Sequence, residues 1–289
     1  MGFILATDTS CDIYRSELKA RGIEYRPLVY TIGDDAFPDE FSSDAEYKAF
    51  YDEIRAGKMP TTSQINIAEH EEFFTMLAEK YSDDILYITL SSGLSSTNAS
   101  AVHAAQTVSE KTGRTICVVD SLGATIAVRH VVDEAERLRN EGVPVVDAAK
   151  QLEDFVSHIQ TWFMPVDLMH LKRGGRVSGP AAYIGTALNI KPIIFINKVG
   201  GLTVTHKIRG VPKAMAFMAD KLKSDSAEVP HKFYIASADS EYAEEMLCRA
   251  KAVRPDCEGE IGWIGPVIGA HTGCGAVGIS FIGNKLREI

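Results

Sequence analysis

The sequence predicts an α/β protein of two domains, an N-terminal mostly parallel sheet flanked by helices and a C-terminal mixed-sheet α/β domain. Three observations carry this. Over the first half, short β-branched runs alternate with amphipathic helical segments, the pattern of parallel strands joined by crossovers. In the second half, Gly200-Gly201 separates two apolar runs and marks a hairpin, which brings antiparallel pairing into that sheet. The length, 289 residues, fits one large or two medium cores. We place the division at residue 155, giving domains 1–155 and 156–289.

Taken in order, Phe3 to Thr7 is a buried-strand candidate, followed by the polar turn Asp8-Thr9-Ser10-Cys11-Asp12 and a helix ending near Gly22. A helix over 44–56 follows from Tyr47, Phe50, Tyr51 and Ile54 on one face, a Ser43/Glu46 capping box and Gly57 as stop. Pro60-Thr61-Thr62-Ser63-Gln64 reads as a polar loop. The next helix starts near Ile67, with Asn66 and Glu69 as cap pair and His70, Phe73, Phe74 and Leu77 on one side. Ile85 to Leu90 is a strand, a helix follows Ser95, and Thr115 to Val119 is another strand.

The second half opens with a helix over 146–160 and a strand over 161–166. A basic glycine loop, Lys172-Arg173-Gly174-Gly175-Arg176, precedes a helix from Pro180. Then come strands over 191–197 and 202–208, a helix from Val211, a strand over 233–237, a helix from Ser240 and a C-terminal strand pair.

Composition narrows the function. With 45% hydrophobic and 24% charged residues the chain is of the ordinary globular kind. A net charge of −9 argues against nucleic acid or an anionic membrane as main partner. The start meets Asp8 without a basic segment, which reads against a signal peptide, and no apolar run reaches membrane-spanning length. Five scattered cysteines without a C-x-x-C pair suggest neither zinc nor a disulfide framework, so a reducing cytoplasm is the expected setting.

Three strand ends share one chemistry. Thr7 runs into Asp8-Thr9-Ser10, Leu90 into Ser91-Ser92-Gly93-Leu94-Ser95, and Val119 into Asp120-Ser121. Hydroxyls before helix N-termini serve as simple N-caps, or together as an anion site at the carboxyl edge of a parallel sheet. Seven of the 23 glycines lie between Gly262 and Gly283, and His271 and Thr272 sit among them. An imidazole and a hydroxyl in such a bend would grip a small anion, or merely satisfy the carbonyls of a tight strand-to-strand turn. No G-x-S-x-G or dinucleotide fingerprint is present, and the other histidines lack metal-ligand spacing.

In combination, Thr62-Ser63-Gln64, Ser91-Ser92-Gly93-Leu94-Ser95, Asp120-Ser121, Leu171-Lys172-Arg173-Gly174-Gly175-Arg176-Val177-Ser178, Leu188-Asn189-Ile190-Lys191-Pro192 and Gly269-Ala270-His271-Thr272-Gly273 resemble the DegV family. The resemblance runs from Asp8 to the C-terminus. It implies a bacterial two-domain α/β protein that holds a long-chain fatty acid, such as palmitate or oleate, between its domains. It also implies a possible role as the fatty-acid-binding subunit of fatty acid kinase, with a separate kinase subunit phosphorylating the carboxylate. Carried over by motif, the ligand-binding set is Thr62, Ser63, Ser92, Gly93, Ser95, His271 and Thr272, while Arg176 and Arg209 match positions tied to the kinase and phosphate transfer. No metal, cofactor or catalytic residue of the chain's own is implied. The sequence departs from the family at Ile65-Asn66, Ser96-Thr97-Asn98 and Cys274.

The physics agrees with that reading. A buried carboxylate needs hydrogen bonds in place of its water. A tail of about fifteen methylenes supplies on the order of 10 kcal/mol before binding entropy is subtracted. Phe73, Phe74, Leu77, Met164, Ile184, Leu188 and Ile194 are candidate tunnel lining, and each fits an ordinary core equally well. Two other classes stand beside this one: a hydrolase or acyltransferase using Ser95 or Cys274 with His271, and a phosphosugar-binding module drawing on Arg176 and its glycines.

Overall fold

The computed structural model describes residues 2–166, 168–177 and 189–288. The helix expected from Pro180, together with Ser178, Gly179, Ile184 and Leu188, lies outside them. In the first half the elements are β1 (Ile4–Asp8), α1 (Arg15–Ala20), β2 (Glu24–Arg26), β3 (Val29–Ile32), β4 (Asp35–Pro38), α2 (Asp44–Arg55), β5 (Thr61–Ser63), α3 (Ile67–Lys80), β6 (Ile85–Thr89), α4 (Thr97–Thr112), β7 (Ile116–Asp120), α5 (Ile126–Asn140) and α6 (Val145–His158). The second half has β8 (Ile159–Met164), α7 (Met169–Arg173), β9 (Ile190–Ile196), β10 (Leu202–Arg209), α8 (Val211–Asp225), β11 (Lys232–Ser237), α9 (Ala243–Val253), β12 (Glu258–Trp263), α10 (Pro266–Thr272) and β13 (Val277–Ile282).

Two main sheets result, as expected from the sequence. The first, in order β2-β1-β6-β7, is parallel throughout. Strand alternation sends Leu5, Leu86 and Ile88 toward α5 and α6, and Ala6, Ile85 and Tyr87 toward Phe73, Phe74 and Leu77 of α3 and the alanines of α4. Covering both faces is what a parallel sheet requires. The second, in order β10-β9-β8-β13-β11-β12, is mixed: only β11 and β12 run parallel. One of its faces, with Trp162, Phe195, Phe233 and Phe281, is packed by α8 and α9. The opposite face carries Thr161, Phe163, Ala236 and Gly278 and is left to wall a cavity.

Local chemistry explains several boundaries. Asn66 and Glu69 form the expected capping box, each side chain bonded to the other's backbone amide. At α2 the box is only half made: Ser43 Oγ and the Ser42 amide both donate to Glu46, and no side chain caps the first turn. The hairpin closes at Gly200-Gly201 as expected, with the Gly200 amide donating to the Asn197 carbonyl and the Asn197 amide to the Gly201 carbonyl.

The structure corrects four readings. The Thr61–Ser63 segment is an edge strand rather than a loop, in a third, antiparallel sheet β4-β3-β5. Helix α5 was not anticipated, because its β-branched Ile126, Val128, Val131 and Val132 resemble a strand. The C-terminal strands β12 and β13 do not pair with each other but flank β11. Finally, the glycine-rich bend around His271 is a two-turn helix, α10. Gly269 serves packing there, since a Cβ would lie 2.7 Å from the Tyr51 hydroxyl of α2.

Candidate functional site

Between the open face of the mixed sheet and the carboxyl edge of the parallel one lies a cavity of about 540 Å³. Its walls are apolar over most of their extent, with Leu28, Leu90, Ile126, Phe163, Ile196, Ile264 and Val267 among them. Its polar groups include the hydroxyls of Thr62, Ser63, Ser92, Ser95, Thr125, Thr161 and Thr272, with Gln64, His271 and Arg176. Such a chamber, greasy with a few convergent donors, suits an elongated amphipathic ligand.

The polar end is built from three loops held by hydrogen bonds, of which those to Asp8 and that from Ser91 Oγ to the Gly200 carbonyl are buried. The Asp8 carboxylate accepts from the amides of Leu90 (2.8 Å) and Ser10 (3.0 Å), tying the end of β6 to the end of β1. Burial raises its pKa while these bonds oppose the rise. Asp120 accepts from the Ser92 and Leu122 amides at 3.1 and 2.9 Å. Ser91 Oγ donates to the Gly200 carbonyl at 2.9 Å and accepts from the Gly93 amide at 3.1 Å. Gly93 itself does not line the cavity. Its role here is close approach, since a Cβ would stand 2.5 Å from the Val199 carbonyl of the β9–β10 hairpin.

Ser95, by contrast, faces the cavity just before α4, where its Oγ accepts from the Thr97 amide (3.2 Å) and pairs with Thr97 Oγ1 (2.9 Å). Thr62 sits on β5 opposite Tyr30 of β3, and its Oγ1 is 2.9 Å from His271 Nε2. That bond links the small third sheet to the last turn of α10. The imidazole is pressed from its other side by the Gly174 turn, where a Cβ would be 2.2 Å from Nδ1. Burial first, then the charges of Arg176 and Arg173, lower the His271 pKa to about 4, so the ring is neutral at pH 7. Arg176, exposed at the rim, donates from Nε to the Leu94 carbonyl at 3.1 Å and from Nη1 to the Gly174 carbonyl. It therefore bridges the serine loop to the turn that braces His271.

Of the residues singled out from sequence, Thr62, Ser63, Ser92, Ser95, Arg176, His271 and Thr272 meet around this cavity. Arg209 does not; it is exposed at the end of β10, opposite Ile190. Cys274 donates its thiol to the Tyr51 carbonyl, and among the described residues no hydrogen bond joins Ser95 or Cys274 to His271. The expected lining residues Phe73, Phe74 and Leu77 belong to the core under the parallel sheet, Met164 to that beneath α8, and Ile194 to a cluster with Leu171 and Val177. The aromatic and aliphatic periodicity of α3 marked a helix face without telling which surface it would cover. Sequence reasoning also missed Thr125, a wall residue at φ 56° and ψ −126° whose conformation no local motif announces. Among the described residues no group of three or more His, Cys, Asp or Glu side chains is placed to hold a metal ion.

A family model described as an uncharacterised protein of the DegV family matches residues 3–284. The chain belongs to the DegV family. A DegV domain-containing protein of Clostridium perfringens is 32% identical over 286 residues, covering 98% of each chain. The solved structure of DegV from Bacillus subtilis, described as a fatty acid binding protein, superposes with a TM-score of 0.82 at 30% identity, covering 98% of this chain and 100% of that one. A DegV lipid binding protein of Thermotoga maritima gives a TM-score of 0.84 at 27% identity, over 99% and 100% of the two chains. The two solved structures share the two-sheet α/β arrangement described above.

Proposed function

We propose that this DegV protein binds a long-chain fatty acid, with its carboxylate at Thr62, Ser95 and His271 and its hydrocarbon tail in the apolar chamber. The observation that carries this reading is the cavity itself. Thr62 and His271 are joined by a hydrogen bond at its wall, Ser95 lines the same cavity, and most of the remaining wall is apolar. A neutral His271 with its proton on Nε2 donates to Thr62 Oγ1, which frees the threonine hydroxyl hydrogen for the carboxylate. Ser95 Oγ accepts from the Thr97 amide, and with Thr97 Oγ1 as the donor of their shared bond its own hydrogen is left for the carboxylate. Arg176 at the rim adds a positive charge without being buried. Fatty-acid binding by the B. subtilis relative supports the assignment.

The same reading extends to a partner. With the carboxylate near the rim, Arg176 beside it and Arg209 on the exposed β10 edge, the protein presents the acid to a separate kinase subunit that makes the acyl phosphate, in the cytoplasm. We assign the chemistry to that subunit and none to this chain, and we place the domain division near residue 155. Organic extraction of the purified protein followed by mass spectrometry tests the binding step. A near-stoichiometric long-chain acid is expected; no acid, together with no uptake of added palmitate or oleate, would overturn it.

A further inference from the structure

Three buried threonines, Thr125, Thr161 and Thr272, line the chamber. Thr161 Oγ1 pairs with Ser280 Oγ at 2.9 Å, and Thr272 Oγ1 donates to the Gly273 carbonyl. The Thr125 hydroxyl has no hydrogen bond among the described residues and does not cap α5, the helix it precedes. Yet Thr125 is only 6% exposed, and its chain neighbours on the same wall, Ala124 and Ile126, are apolar. Its backbone, by contrast, is fully held: the amide donates to the Ser10 carbonyl at 2.7 Å, and the carbonyl accepts from the Arg129 amide at 3.0 Å. The turn is tight, since a Cβ on Gly123 would lie 2.7 Å from that of Ala127. Of the described non-glycine residues at positive φ (Asp12, Leu122, Thr125, Asn189 and Asp239), Thr125 is the only β-branched one. Glycine or asparagine would hold that conformation with less strain, so a threonine there points to a use for its side chain.

A strained turn between a strand and a helix N-terminus is where hydrolases present a nucleophilic hydroxyl. Such a nucleophile needs a base within hydrogen-bond reach, and here the imidazole of the chamber, His271, is bonded to Thr62 instead. The Thr125 hydroxyl is therefore left for binding. We propose that Thr125 is a second recognition point of the chamber, whose hydroxyl bonds a hydroxyl group carried on the hydrocarbon chain, so that hydroxylated long-chain acids are ligands of this protein. The inference rests on the fatty-acid reading above. A chain hydroxyl that enters an apolar chamber loses its water and needs a partner there. A threonine hydroxyl both donates and accepts, so it meets the ligand oxygen in either sense. The positive end of α5 begins at the next residue and favours that oxygen. An unsubstituted tail leaves the Thr125 hydroxyl unpaired and gains nothing from it.

The test compares stearate with 3-, 10- and 12-hydroxystearate, each competing with a fluorescent fatty acid on wild type, Thr125→Val and Thr125→Ser, with thermal melts alongside. Valine keeps the β-branched shape and loses only the hydroxyl; serine keeps the hydroxyl. For at least one hydroxystearate, affinity relative to stearate should fall about fivefold in Thr125→Val, the size of one neutral hydrogen bond. The same ratio should stay within about twofold of wild type in Thr125→Ser, and stearate itself should change less than about twofold in both. The isomer that responds reports which carbon of the chain lies beside Thr125. If the valine variant does not fold, Thr125→Ala, which also lacks the hydroxyl, is read in the same way. Unchanged ratios for all three isomers, or equal weakening of stearate and the hydroxystearates, overturn the proposal. So does a wild type that binds stearate and none of the hydroxylated acids. Failure of wild type to bind stearate would instead sink the fatty-acid reading beneath it.

Discussion

Replacing Thr62 by valine removes one hydroxyl and nothing else of consequence. Valine keeps the branched shape, suits an edge strand such as β5, and retains the backbone pairing with Tyr30. The change strips His271 Nε2 of its 2.9 Å partner and denies the carboxylate one donor. A hydrogen bond to a charged group contributes about 1.5–3 kcal/mol, or roughly 10- to 150-fold in affinity. Thr62 is only partly buried, so water replaces some of the loss and we expect the lower end, about tenfold. Competition against a fluorescent fatty acid measures this, and a melt within about 2 °C of wild type shows that the fold is intact. An affinity within twofold of wild type would refute the placement of the carboxylate at Thr62.

Other consequences follow from the same geometry. Gly174→Ala puts a methyl where the His271 ring now sits, so binding should weaken severalfold; Gly175→Ala, at φ +69° in open space, should cost stability instead and spare affinity in the same titration. Because His271 is held neutral with a pKa near 4, fatty-acid affinity should stay flat between about pH 6 and 8, and a rise in affinity on acidification toward pH 6 would show that an imidazolium binds the ligand. Asp39 is buried beside Asp12, and desolvation pushes its pKa up to about 8. A raised carboxyl pKa gives stability that is complete below the ordinary value near 4 and is lost as pH climbs toward 8. Asp39→Asn should therefore be more stable than wild type at pH 8, on the order of a few kcal/mol, and equal to it near pH 4; chemical denaturation at the two pH values reads the difference.

What the sequence disclosed and what it withheld have physical reasons. The strands of the parallel sheet were readable because residues buried on both faces leave short apolar runs, as in Ile85–Thr89. The Asn66–Glu69 start of α3 was readable because a capping box is local chemistry. Helix α10 was not, since its Gly269 answers a demand set by Tyr51 and Phe50, more than two hundred residues away. Nor was β5, whose polar Thr-Thr-Ser run pairs only because β3 offers an edge. For the site, family motifs located the hydroxyls and His271. They could not separate Gly93, which makes room for the hairpin, from Ser92 and Ser95, which face the chamber. The apolar wall was beyond reach, because Leu28, Ile126, Ala236 and Ile264 meet only through tertiary contact.

A crystal structure of the protein with palmitate would test the central claim most directly. The account predicts carboxylate oxygens about 3 Å from both Thr62 Oγ1 and Ser95 Oγ, and the hydrocarbon tail inside the chamber. A palmitate lying with its head group away from Thr62 and His271, or seated outside the chamber, would contradict it.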